Sequence, residues 1–173
     1  MPIKSRTTKK SVTCFLRFGK KYLFVHRTKK GNSVDFGRLN GVGGKLEPGE
    51  NFLNCALREV KEETGYKIKK AHCRLAAVVT LENGYVDDWV MCFFVIDVKT
   101  QKIPIGNENE EGQLLWLDKT EVLSSTYQLV DDLYYSWLDI IDDQKGVVFF
   151  SAILDKNEKI KQFTQTNLPF LNQ

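Results

Sequence analysis

Acid is missing from the first thirty residues, and histidine is scarce throughout. That opening stretch carries Lys4, Arg6, Lys9, Lys10, Arg17, Lys20, Lys21, Arg27, Lys29 and Lys30 with no Asp or Glu. Acids gather instead from Glu47 to Glu63 and from Glu108 to Asp143. A basic stretch attracts polyanions. No nucleic-acid-binding motif accompanies it, which argues for a small phosphorylated ligand or plain solvation over nucleic acid as the partner. The two histidines, His26 and His72, and the four cysteines, Cys14, Cys55, Cys73 and Cys92, are scattered and include no Cys-x-x-Cys pair. That excludes a zinc cluster of the usual spacing and fits reduced thiols in a cytoplasmic protein. No segment approaches the ~20 apolar residues needed to cross a bilayer, and the N-terminus lacks a secretory apolar stretch. Nothing marks an obligate protein partner.

What is present suits one domain over residues 1–173, with a basic extension over about 1–10. Hydrophobic residues make up 42% of the chain and net charge is only +3, so disorder is not expected. Ser11–Phe18 and Tyr22–Arg27 are β-prone runs around Gly19-Lys20-Lys21, which predicts a hairpin. Gly31–Gly44 reads as a long functional loop. Asn51–Thr64 reads as a helix with Asn51 as N-cap, Gly65 as stop, and Phe52, Leu53, Ala56, Leu57 and Val60 as its apolar stripe. Cys73–Leu81 and Trp89–Val98 flank the turn pair Asn83-Gly84. A strand at Leu114–Leu117, a helix at Asp131–Ile141 and strands at Val147–Leu154 and Lys159–Phe163 complete the order. The expected class is α+β, with helices packed on a mixed central sheet.

The segment Gly43 to Tyr66, GGKLEPGENFLNCALREVKEETGY, carries the chemistry. At about 100° per residue, Glu59, Glu62 and Glu63 share one arc beside the apolar stripe. Like charges three and four residues apart cost a few tenths of a kcal/mol per pair, and the helix dipole disfavours acids near the C-terminus. A divalent cation converts that repulsion into coordination, and carboxylates suit Mg²⁺ or Mn²⁺. The alternative is a solvated acidic face. That alternative does not account for Gly43-Gly44, where backbone amides can approach a phosphate, or for Lys45, which adds positive charge there.

Gly44, five residues, Glu50, seven residues, then Arg58-Glu59-Val60-Lys61-Glu62-Glu63-Thr64-Gly65-Tyr66 resembles the Nudix box, over 44–66. Tyr66 departs from the aliphatic residue usual there. The resemblance implies a Nudix-type α/β/α sandwich that hydrolyses a diphosphate linkage. It makes Glu59, Glu62 and Glu63 ligands of Mg²⁺ or Mn²⁺, with a carbonyl of Gly43 or Gly44 nearby and Glu50 as a supporting acid. Arg58 would orient the carboxylates. Glu62 or Glu63 would help deprotonate water. Glu111 is either a ligand or base from outside the box, or a charged loop residue.

Gly37–Lys45 resembles the branch acting on oxidised purine nucleoside triphosphates, such as 8-oxo-dGTP. By that likeness Asn40 reads the base, Asp131 and Asp132 face the purine edge, and Thr13 and Arg27 line the nucleotide pocket. Asn40 as a turn residue and the aspartates as helix N-caps are the plainer alternatives. That branch carries a stacking tryptophan where this chain has Leu129, a loss of ~1–3 kcal/mol if nothing replaces it. ADP-ribose, a dinucleoside polyphosphate, 5′-capped or triphosphorylated RNA, and a non-catalytic nucleotide sensor remain open as alternatives.

Overall fold

Alternation along the first strand assigns its residues to opposite sides of a sheet. In β1 (Thr8–Phe18), Val12, Cys14 and Leu16 enter one buried cluster while Phe15 enters another. The computed structural model describes residues 6–29, 35–83, 87–124, 126–157 and 159–168. After β1 come β2 (Lys21–Arg27), β3 (Arg38–Asn40), α1 (Phe52–Thr64), β4 (Cys73–Glu82) and β5 (Asp88–Asp97). Then follow β6 (Gly112–Asp118), α2 (Lys119–Val122), β7 (Gln128–Leu129), α3 (Asp131–Ile140), β8 (Val148–Leu154) and β9 (Ile160–Asn167).

The strands form one mixed sheet in the order β7-β3-β2-β1-β5-β4-β8-β9, with β6 also paired to β2. Pairs β1/β5, β4/β8 and β3/β7 are parallel and the rest antiparallel. Cys55, Ala56 and Val60 of α1 pack on one face against Val12, Leu23 and Val25. Leu133, Trp137 and Ile140 of α3 pack on the other against Phe15, Phe24 and Phe93. The Trp137 ring meets Phe15, Tyr22 and Phe24 with centroids 5.2, 5.1 and 5.0 Å away. Burying a side chain of that size contributes about 1.5–3 kcal/mol. The result is the α+β sandwich expected, with a helix on each face.

The segment after β3 is fastened to β1. Val12 N donates to the Gly44 carbonyl at 2.9 Å, Cys14 N to Val42 O at 2.7 Å, and Leu46 N to Lys10 O at 3.0 Å. The glycines permit this approach: a Cβ on Gly43 would sit 2.1 Å from the Val12 carbonyl oxygen.

Several boundaries differ from the sequence reading. Gly31–Gly44 is not all loop, because Leu39 is fully buried and Arg38–Asn40 pairs with β2. Residues 31–34, Gly84 of the turn pair, 1–5 of the basic extension and 169–173 of the tail lie outside the described residues. Lys9 and Lys10 belong to β1, held by parallel pairing with Trp89 and Val90. The last strand runs to Asn167, since pairing with β8 extends a polar segment that shows little apolar alternation. Tyr66 is buried, and its hydroxyl donates to the Thr100 carbonyl at 2.8 Å. Among the described residues no helix is long and apolar enough to cross a membrane.

Candidate active site

Two caps fix the register of α1. Asn51 Oδ1 accepts from Asn54 N at 2.9 Å, and Gly65, left-handed at φ 77°, donates its N–H to Lys61 O at 2.9 Å. That register gathers the carboxylates around Arg58. The guanidinium donates to both Glu50 oxygens at 3.0 and 2.9 Å, to Glu59 Oε1 at 2.8 Å and to Glu62 Oε2 at 3.0 Å. It also donates to the Lys45 carbonyl at 3.1 Å, tying helix to loop. Its bidentate grip holds the Glu50 carboxyl down at about 2.

Glu59 lies against the glycine loop. A Cβ on Gly44 would stand 2.3 Å from Glu59 Oε1, so only glycine leaves this carboxylate its place. Burial raises the Glu59 carboxyl, while Arg58 opposes the shift. Glu63 turns the other way and accepts from Gly43 N at 3.3 Å. Burial, with the charges of Glu111 and Glu59, pushes it up to about 8. Glu111 itself pairs with Arg27 at 3.1 Å.

The donors therefore fit a hard divalent cation: oxygen only, an under-compensated buried carboxyl at Glu63, and a cradle at Gly44 that a methyl would fill. Among the described residues, no three acidic, cysteine or histidine side chains already surround one point as a metal cage. The reason is visible in the contacts, since Glu59 and Glu62 lean on Arg58 while Glu63 leans on the Gly43 amide.

A cavity of about 370 Å³ opens from this loop. Gly43, Gly44, Lys45 and Glu111 border it, and Thr13, Arg27 and Asn40 also line it. Asp131 and Asp132 line it from the start of α3. Leu129 does not line it; it is 5% exposed and packs in the core from β7. Asn40 Oδ1 accepts from Gly41 N at 2.8 Å, so the residue shapes a turn and borders the cavity at once. The aspartates are not N-caps: Val130 holds that position without a side-chain bond, and both acids fall in the first turn. Asp131 pairs with Arg38 at 3.4 Å.

Asp35 and Trp89 are among the lining residues that the sequence motifs do not mark. Asp35 precedes β3 and faces Arg27 at 3.8 Å, and Trp89 opens β5. Neither belongs to a motif, and only the folded chain brings them to the cavity.

Asp132 is pushed up to about 7 by burial, then by the charge of Asp35. The folded state therefore keeps its proton between about pH 4 and pH 7 while the unfolded chain releases it, so stability falls as pH rises through that window. Asp132→Asn is expected to remove that fall. Its thermal midpoint should match the wild type near pH 4 and exceed it near pH 8, by on the order of 2–4 kcal/mol in stability. Equal gaps at both pH values would show that the carboxyl is not held neutral.

The NUDIX domain family model matches residues 7–138. The chain belongs to the Nudix family. A Nudix hydrolase of Bacillus subtilis (strain 168), YvcI, is 31% identical over 112 residues, covering 63% of this chain. The matched region spans 65% of the length of that curated relative. Among solved structures, the mutator MutT protein from Bacillus halodurans superposes with TM-score 0.73 at 19% identity, over 91% of this chain and 97% of that one. The NUDIX domain of Shewanella oneidensis NrtR, solved in complex with ADP ribose, gives TM-score 0.58 at 17% identity, over 79% and 87%. These structural likenesses confirm the Nudix fold. The hydrolases of this family act on phosphoric anhydride bonds, and the β8–β9 hairpin of this Nudix chain lies beyond the matched region.

Proposed function

We propose that this Nudix chain is a Mg²⁺- or Mn²⁺-dependent pyrophosphohydrolase that cleaves a nucleoside triphosphate of the oxidised-purine kind to the monophosphate and pyrophosphate. The observation that carries the reading is one cavity bordered by the Gly43-Gly44 loop, against which Glu59 and Glu63 of the acidic helix rest, and lined elsewhere by the paired aspartates. Glu59, Glu62 and Glu63, with a carbonyl of the Gly43-Gly44 loop, would hold the cation, which supplies charge neutralisation at the phosphates. Arg58 fixes the orientation of Glu59 and Glu62, and Glu50 anchors Arg58. Lys45 and the loop amides meet the phosphates. Glu63, which accepts from the Gly43 amide, and Glu111, which borders the cavity, would be the carboxylates that accept a proton from water.

At the base end Asn40, Asp131 and Asp132 would face the purine edge. Three acids there, counting Asp35, suit the N–H and amino donors of a purine edge. The test is product release with Mg²⁺ or Mn²⁺ from dGTP, 8-oxo-dGTP, dATP, ADP-ribose and a dinucleoside tetraphosphate. Turnover should favour 8-oxo-dGTP over dGTP by about tenfold or more, and chelation should stop it. Preferred turnover of ADP-ribose would keep the phosphate chemistry and sink the base assignment.

A further inference from the structure

The cavity has an apolar wall that the nucleotide reading leaves unused. Leu81 of β4, Trp89 and Met91 of β5, Leu154 of β8 and Ile160 of β9 form it, and Trp89 is the single aromatic side chain among the described lining residues. The indole ends a same-face row, Trp89, Met91, Phe93 and Val95, whose other members are buried. Its backbone is braced on both sides, by Lys9 of β1 and Leu81 of β4. Trp89 itself is only half-buried, and Lys45 Nζ stands over its ring, 5.5 Å from the centroid. An exposed lysine on the face of an indole is a loosely held partner, worth about 0.5–1 kcal/mol at such sites. A π-face covered by an exposed ammonium, in a cavity with polar hydrogen-bonding groups along its wall, suits a flat heteroaromatic ring.

We propose that Trp89 is the platform on which the substrate's base stacks, taking the part that Leu129, buried in the core, does not play. On binding, the base replaces the Lys45 ammonium over the ring, and Lys45 is released towards the phosphates. This rests on the nucleotide reading above and adds the residue that grips the base.

The test compares Trp89→Phe, which keeps a π-face, with Trp89→Leu, which keeps apolar bulk alone. For the preferred nucleoside triphosphate, Trp89→Leu should raise KM about tenfold or more with kcat nearly unchanged, and Trp89→Phe should stay within about threefold of wild type. A role confined to packing would lower thermal midpoint and kcat in both variants without separating them, and that result overturns the proposal. So does a KM indifferent to both substitutions. A second readout needs no turnover: in a Trp116→Phe background, dGMP without metal should quench tryptophan emission, and ribose 5-phosphate should not. Trp137 is buried in the core, so Trp89→Leu should remove the quenching. Quenching with no hydrolysis of any triphosphate would retain the platform and defeat the proposed reaction; hydrolysis without quenching would do the reverse.

Discussion

Gly44→Ala is expected to fold normally and to lose about a hundredfold or more in kcat. The backbone at Gly44 is not in the left-handed region, so alanine brings no conformational strain there. Its methyl would stand 2.3 Å from Glu59 Oε1, and all three nearest atoms belong to that one carboxylate. The neighbour that must move is the end of a flexible side chain, which makes the change cheap for the fold. It is expensive for the site, because Glu59 is also held at 2.8 Å by Arg58 and cannot shift alone. A misplacement of about 1 Å in a catalytic constellation costs roughly a hundredfold. Thermal melting and steady-state kinetics with Mn²⁺ separate the two effects. Wild-type kcat in a folded Gly44→Ala protein would show that the seat of Glu59 against the loop is unimportant.

Arg58→Leu should be the most damaging single change in the helix. One guanidinium serves Glu50, Glu59 and Glu62 and reaches back to the Lys45 carbonyl. Removing it leaves Glu50 and Glu59, both largely buried, without their counter-charge. Losing charged hydrogen bonds of this kind costs about 2–3 kcal/mol, or roughly 5–10 °C in thermal midpoint for a chain of this length. Activity should fall further than stability, since the carboxylates lose their common orientation. Arg58→Lys should recover part of the midpoint and little of the activity, because an ammonium cannot grip Glu50 with two parallel bonds. The deficit has a defined pH dependence. Glu50 is depressed from 4.5 to about 2 by Arg58, so this stabilisation is complete above about pH 4.5 and fades as pH falls towards 2. A midpoint gap between Arg58→Leu and wild type that stays constant down to about pH 2 would contradict the clamp.

The acidic helix was legible because everything that defines it is local. Asn51, Gly65 and the spacing of Glu59, Glu62 and Glu63 set start, stop and acidic arc within one continuous segment. The contacts of Arg58 follow from the same spacing, except for its reach to the loop. The other end of the cavity was less legible. Leu129 reads from sequence as a gap in the base site, yet the two-residue strand β7 turns it into the core. Trp89 reads as an ordinary strand residue, and its position beside Lys45 depends on the parallel pairing of β1 with β5. Asp35 lines the cavity beside Arg27 at the end of β2, a pairing that no local spacing reveals. β3 itself was hidden by its glycine-rich neighbours, since three residues are too few to show a period. Local chemistry was readable from the sequence, whereas placements set by strand pairing required the fold.

The parallel seam between β1 and β5 also governs when a site can exist during folding. Arg17 and Asp97, bonded across that seam, are 80 residues apart in the chain. The cavity draws on positions from Ser11 to Ile160, so its lining joins segments far apart in the chain. Contacts of such separation close slowly, because loop entropy is spent before any contact repays it. The cavity includes Leu154 and Ile160 in its lining, so it is complete only once the β8–β9 hairpin has paired with β4. Its completion depends on contacts that the local coiling of the acidic helix does not need.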